Sequence, residues 1–280
     1  PVQSLFRLGT PIGLYSGGHH LVWWAVVPSQ HRLMLNGMVK SPKVFTLDEI
    51  MRLPSVSRFH FIECGANTAV DWGNVAVPTV QYTHGMLSCS EFTGVPLVTL
   101  LELAGADLKN GKFVLAEGAD GSSMTRTIPM ELIKSGEVFV AYGQNGEMLR
   151  PEQGYPARLL LPGVEGNASI KWIRRIELAD QPFMTREETS KYTDPLPDGI
   201  ARIFSLDMDA KSLITEPTFP DKLTGPGWWE IRGIAWTGRG KITRVDVSTD
   251  GGKTWQHAKL DEPVLPKCHT RFRLPFEWKG

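Results

Sequence analysis

Phe59-His60-Phe61-Ile62-Glu63-Cys64 is an apolar, strand-like run, and it ends in a cysteine at the mouth of the turn Gly65-Ala66-Asn67. A thiolate placed there faces a cleft, and a deprotonated sulfur is both a nucleophile and a soft metal ligand. The bland alternative is a packed small hydrophobe, the commonest fate of a free cysteine. Four other groups could do chemistry. They are the pair His19-His20, Asp120 before Gly121, Gln153 and Arg158 in Gln153-Gly154-Tyr155-Pro156-Ala157-Arg158, and Ser169-Ile170-Lys171 in the run from Gly163 to Trp172. Each has a plain structural reading too: a satisfied histidine, a turn acid, a surface arginine at a strand start and a solvated lysine.

The elements that must position these groups are legible in outline. Residues 31–39 alternate and then turn, as a half-buried strand does. Thr46 with Glu49 three residues on, and Pro54 beyond, predicts a short capped helix over 46–53. Leu97, Leu100 and Leu101 share one face of a second helix expected from Pro96 to Ala104. From Asp180 to Gly199 the chain is rich in charge, Thr and Pro without apolar periodicity, which predicts a linker. Beyond it, 229–236 and 242–248 alternate, and Asp250-Gly251-Gly252-Lys253 signals a turn before 254–258. These regular strands suggest an immunoglobulin-like sandwich without its cysteine pair. Trp228, Trp229 and Trp236 are expected in its core or interface, and His257 and His269 as structural or surface residues.

At 280 residues and 41% hydrophobic, the chain is long enough for two cores. We divide it into 1–185, a linker 186–199 and 200–280, with the second unit incomplete at its C-terminal end. Thirty basic and thirty acidic residues cancel, which disfavours binding to nucleic acid or a membrane surface through net charge. Cys64, Cys89 and Cys268 give no even framework and no C-x-x-C, so neither a disulfide scaffold nor a zinc ribbon is supported. No C-x-x-C-H attaches a haem, and no apolar run has transmembrane length.

The motifs around Cys64, His19-His20, 153–158 and 163–172 together resemble the sulfite oxidase family of molybdenum-cofactor enzymes, most of all its sulfane dehydrogenase branch. The resemblance implies an α+β fold, with a mixed α/β molybdopterin domain followed by an immunoglobulin-like dimerisation domain. It implies that Cys64 is the catalytic cysteine and the protein ligand of molybdenum. It further places His19, His20, Asp120, Gln153, Arg158, Ser169, Ile170 and Lys171 at the molybdopterin, whose phosphate suits the planar fork of an arginine. The activity implied is oxidation of sulfane sulfur on a carrier protein during thiosulfate oxidation. Oxygen-atom transfer at the metal is followed by electron transfer to a c-type cytochrome subunit, in a periplasmic hetero-oligomer that dimerises through its C-terminal domain.

Departures from the family bear on the substrate. Gly18, Thr68 and Ala69 stand where family members carry anion-binding arginines, and Gln153 replaces a histidine. A small dianion loses charge-assisted hydrogen bonds in such a site, which favours carrier-borne sulfur over free sulfite. The rivals are a sulfite dehydrogenase, a methionine sulfoxide reductase and a cofactor-free two-domain binding protein.

Overall fold

The computed structural model describes residues 26–73, 75–203 and 206–280. Gly18, His19 and His20 therefore lie outside the described residues.

The first unit is built from two sheets over a shared core. One sheet runs Lys43–Phe45, Leu33–Gly37, Ile173–Ala179, Phe113–Gly118, Thr125–Pro129 in spatial order, and within it only Leu33–Gly37 and Ile173–Ala179 pair in parallel. The other is antiparallel, ordered Val56–Glu63, Leu87–Pro96, Phe139–Gln144, Glu147–Met148, with Arg158–Leu160 also on Phe139–Gln144. Leu33, Leu35 and Ile176 from the first sheet meet Val95, Val140 and Leu159 from the second in one buried cluster. Both expected helices form. Thr46 caps Leu47–Met51 through a reciprocal bond with Glu49, and Leu97, Leu100 and Leu101 are the buried face of Leu97–Leu103.

The segment expected to be a linker carries structure of its own. Thr185 and Glu188 form a capping box for the helix Arg186–Lys191, and Glu188 accepts a 2.6 Å bond from the backbone of Thr127, inside the first unit. Thr193–Pro195 then pairs with Ala201–Ile203.

The second unit has a sheet ordered Lys211–Glu216, Gly227–Trp236, Thr270–Trp278, Lys259–Asp261. Val245, Val247 and Ala258 cover it from the side of a short ladder and pack with Ile231, Phe272, Leu274 and Phe276. The alternation at 242–248 yields only Asp246–Val247 as strand, because its partner is just Gln256–His257. The residues between are held in a turn whose Asp250 carboxylate accepts from Lys253, Thr254 and Ser248. Trp236 is buried as expected, whereas Trp228 is 75% exposed, since strand alternation sends it to the face opposite Trp229.

The two units share a third cluster. Phe61, Leu87 and Cys89 of the first pack against Met208, Leu213, Ile234, Trp236 and Cys268 of the second. Beside it the backbones touch. A Cβ on Gly163 would lie 2.5 Å from the Gly238 carbonyl oxygen, and one on Gly238 would lie 2.0 Å from that of Gly163. Met208 bridges them, its N–H donating to Gly163 and its carbonyl accepting from Gly238.

Candidate functional site

Cys64 follows directly on the strand Val56–Glu63 and is exposed. Its turn is stapled by Asn67, which is 2% exposed. The Asn67 N–H donates to the Cys64 carbonyl, its side-chain amide donates to Glu63 at 3.0 Å, and its side-chain oxygen accepts from the Met86 N–H at 3.1 Å. Asn67 satisfies these groups locally, so the loop leaves the core while the cysteine stays fixed. Glu63 itself is fully buried. One carboxylate oxygen accepts from Lys211 Nζ at 2.8 Å, and the other from Trp236 Nε1 at 2.7 Å. The strand that delivers the cysteine is thus anchored in the second unit.

Gly65 lies close under Glu165, whose carboxylate is 2.9 Å from where a Cβ would stand and would have to shift to admit one. From Glu165 a polar chain leads inward. Asn167 donates to Glu165 at 2.6 Å, and Arg126 Nε donates to Asn167 at 2.6 Å. The Arg126 guanidinium, 2% exposed, lies 4.6 Å above the Tyr192 ring, and its Nη2 has no partner among the described residues. Burial raises the Tyr192 hydroxyl above its ordinary pKa against the opposing Arg126 charge, and Glu165 and Cys64 add to the rise. Burial likewise raises Glu165. Cys64, Arg126, Tyr192 and Glu165 therefore belong to one electrostatic neighbourhood.

The segment from Gly163 to Trp172 joins this neighbourhood to a second cluster. Near its start Gly166 packs on the Glu63 carbonyl, with 2.8 Å to a Cβ there. Further on, Ser169 and Lys171 reach Arg158. Arg158 is 2% exposed and donates to the carbonyls of Gln153 at 3.1 Å and Ser169 at 2.8 Å. Lys171 Nζ donates to the Glu152 carbonyl at 2.8 Å. Gly154, at φ 104°, lets the chain pass Lys171, whose Cβ is 2.9 Å from a Cβ built there. The buried Gln153 has a side-chain oxygen with no partner among the described residues.

Of the positions expected from sequence, Gln153, Arg158, Ser169, Ile170 and Lys171 come together in this way. Ile170 contributes a buried side chain to the core and a main-chain carbonyl to Leu159. Asp120 caps its own turn, accepting from the backbones of Ser122 and Met124. Ala119 beside it donates to the Trp172 carbonyl, so the turn sits against the cluster. Arg126 and Tyr192 were not expected. Arg126 lies on an ordinary alternating strand, Thr125–Pro129, and Tyr192 lies in the presumed linker.

Two cations side by side carry a measurable consequence. Burial, with the neighbouring Arg158 charge, lowers the Lys171 ammonium from 10.5 to about 7. In the anion-free protein the unfolded state therefore holds the extra proton between pH 7 and 10.5, and stability rises with pH across that window. Melting temperature measured across it should climb more steeply for the wild-type chain than for Lys171→Met. Equal slopes would show that the ammonium is not desolvated.

The oxidoreductase molybdopterin binding domain model matches residues 20–187, and the Mo-co oxidoreductase dimerisation domain model matches residues 202–273. The structure is similar to that of the sulfane dehydrogenase SoxCD from Paracoccus pantotrophus, with a TM-score of 0.94 and 46% identity over all of this chain and 72% of that one. The chain is 30% identical to sulfite oxidase from Gallus gallus over 91% of its own length and 59% of that protein's. It is 29% identical to NADH nitrate reductase from Solanum lycopersicum over 97% of its own length. The chain thus spans only about a third, 33%, of that nitrate reductase.

Proposed function

Because this chain belongs to the molybdopterin-binding oxidoreductase family that includes sulfite oxidase, we propose that it oxidises sulfane sulfur carried on a protein thiol and passes the electrons to a c-type cytochrome. The observation that carries this reading is the likeness to a sulfane dehydrogenase over the whole chain. Its setting would be the periplasm, in a hetero-oligomer that dimerises through the second unit. No helix among the described residues is long and apolar enough to cross a membrane.

The residues fit the cofactor. Among the described residues no three His, Cys, Asp or Glu side chains converge as a metal cage. A metal at Cys64 would thus have one protein sulfur and would bring its other ligands with it, as a pterin dithiolene does. Arg158 and Lys171 are two adjacent, largely desolvated cations, which suits a phosphate. The Gln153 side-chain oxygen is an acceptor in search of a ring N–H. In this reading Cys64 holds the metal, and Gln153, Arg158, Ser169, Ile170, Lys171 and the Asp120 turn hold the pterin. His19 and His20, outside the described residues, would join them at the pterin as the resemblance implies. When bound, the cofactor supplies two-electron oxidation with oxygen drawn from water.

The chain's own groups then act on the substrate. Arg126 would present a buried N–H to the anionic oxygens that the sulfur acquires, and Asn167, itself held by Glu165, fixes its direction. Tyr192, whose hydroxyl burial keeps protonated, would stand beside the cysteine with its ring under the Arg126 guanidinium. Truncating Arg158 leaves a buried phosphate under-paired, at a cost of about 2–5 kcal/mol. Arg158→Ala should accordingly purify with little molybdopterin, measured by fluorescence of the oxidised pterin. Full occupancy would return Arg158 to a structural role.

A second reading, oxidation of free sulfite, is favoured by Arg126 itself, which supplies a cation that the sequence did not promise. Steady-state cytochrome reduction by the cofactor-loaded enzyme separates the two readings. We expect a higher kcat/KM for carrier-bound persulfide than for sulfite, since a carrier gains affinity from contacts remote from the reacting atom. Equal efficiency would make this a sulfite dehydrogenase. A purified protein without molybdenum would make it a binding protein.

A further inference from the structure

Cys89 and Cys268 stand 179 positions apart in sequence, yet their sulfurs lie 3.2 Å from each other. Cys89 is the third residue of the strand Leu87–Pro96, in the first unit, and Cys268 is two residues before Thr270–Trp278, in the second. Both are sealed from solvent, at 0% and 1% exposure. Their surroundings are the cluster that joins the units, with Phe61 paired to Cys89 on the neighbouring strand and Trp236 in the same cluster. His269 stacks on Phe61 at 6.5 Å, and neither of its ring nitrogens has a partner among the described residues. Two thiols enclosed in an apolar wall gain little from a weak S–H hydrogen bond. The remaining separation to a disulfide is roughly 1 Å, given a bond length of about 2.05 Å.

We propose that Cys89 and Cys268 are a dithiol–disulfide couple that closes into a covalent link between the two units. This inference does not depend on the reaction assigned to Cys64. The oxidant is a disulfide, either of a thiol–disulfide oxidoreductase or of a small thiol such as glutathione. Cys268 is the first attacker, because it stands in the bend before its strand, whereas Cys89 is held within a paired strand. The Cys268 thiolate attacks one sulfur of the oxidant, expelling the other as a thiolate and leaving a mixed disulfide. Cys89 gives its proton to that thiolate, and its own sulfur attacks Cys268 Sγ and expels the second oxidant thiolate, which takes up the proton Cys268 lost. Two protein thiols thus lose two electrons and two protons, and one oxidant disulfide becomes two thiols. Exchange takes place while the units are apart, since the docked pair is closed to any oxidant, and docking then shields the bond from reductants. Closure also removes the two thiols that could pair wrongly with Cys64.

The test uses the full chain, held with excess oxidised glutathione at a denaturant concentration within its unfolding transition and then returned to buffer. It is next fully unfolded with an alkylating agent and mapped by peptide mass spectrometry, with and without prior reduction. A fragment joining Cys89 to Cys268 is expected without reduction, together with alkyl or glutathione on Cys64 only; after reduction all three cysteines take the alkyl group. The oxidised wild type should also show a higher denaturant midpoint than the reduced one, a difference absent from Cys89→Ala and Cys268→Ala. Free or glutathionylated thiols at both positions, or the same midpoint difference in either variant, would overturn the proposal.

Discussion

Cys64→Ser should bring turnover down to that of protein without cofactor while leaving the melting temperature nearly unchanged. The two halves of that expectation have separate causes. A serine hydroxyl is neither soft nor ionised near neutral pH, so it does not replace a thiolate at molybdenum. Stability is spared because Cys64 is exposed and its turn is held by Asn67, through bonds that do not involve the sulfur. The measurements are cytochrome reduction, molybdenum content per chain by elemental mass spectrometry and a thermal melt. Wild-type turnover from the serine variant would end the assignment of Cys64 as ligand. A collapsed melt would instead show that the turn depends on the thiol.

Glu63→Ala should be the most destabilising single change near the site, by about 3–5 kcal/mol in urea denaturation. The carboxylate is 0% exposed, and removing it strands the Trp236 indole N–H, which is as deeply buried. Lys211 suffers less, because its side chain is 32% exposed and reaches water. Asn67 loses one partner and keeps Met86. The loss should therefore follow Trp236 more than Lys211, with Glu63→Ala costing more than Lys211→Met and a double-mutant cycle showing coupling between Glu63 and Lys211. A cost below about 1 kcal/mol, that of an exposed ion pair, would mean that the two units are not held through this carboxylate.

Local pattern made the cysteine loop, the capped helix Leu47–Met51, the apolar face of Leu97–Leu103 and the long strand Gly227–Trp236 readable in the sequence. A turn after an apolar run, a Thr/Glu pair three apart and period-two hydrophobicity all act within a few residues. The cation cluster was readable only through its motif, since Arg158 and Lys171 are separated by a core strand and a turn. Arg126 and Tyr192 escaped because what distinguishes them is distant. Arg126 finds Asn167 41 residues away, and nothing on its own strand marks it as buried. Tyr192 follows a charged, Thr-rich stretch whose helix is fixed by Glu188 capping and by a bond to Thr127. Glu63 read as a polar residue at a strand end, and its meaning lies 173 residues on, at Trp236. Reading 242–248 as a full strand failed for a related reason, because alternation describes one strand and says nothing of how short its partner is.

The bare backbone contact between Gly163 and Gly238 sets a rule for recombination between relatives. A catalytic half borrowed from one protein and a second half from another would fit only if both donors bring a glycine to the seam, since even a methyl group on either side would sit closer than 3 Å to a carbonyl oxygen. Chimeras that break this rule should lose the close seam between the two units.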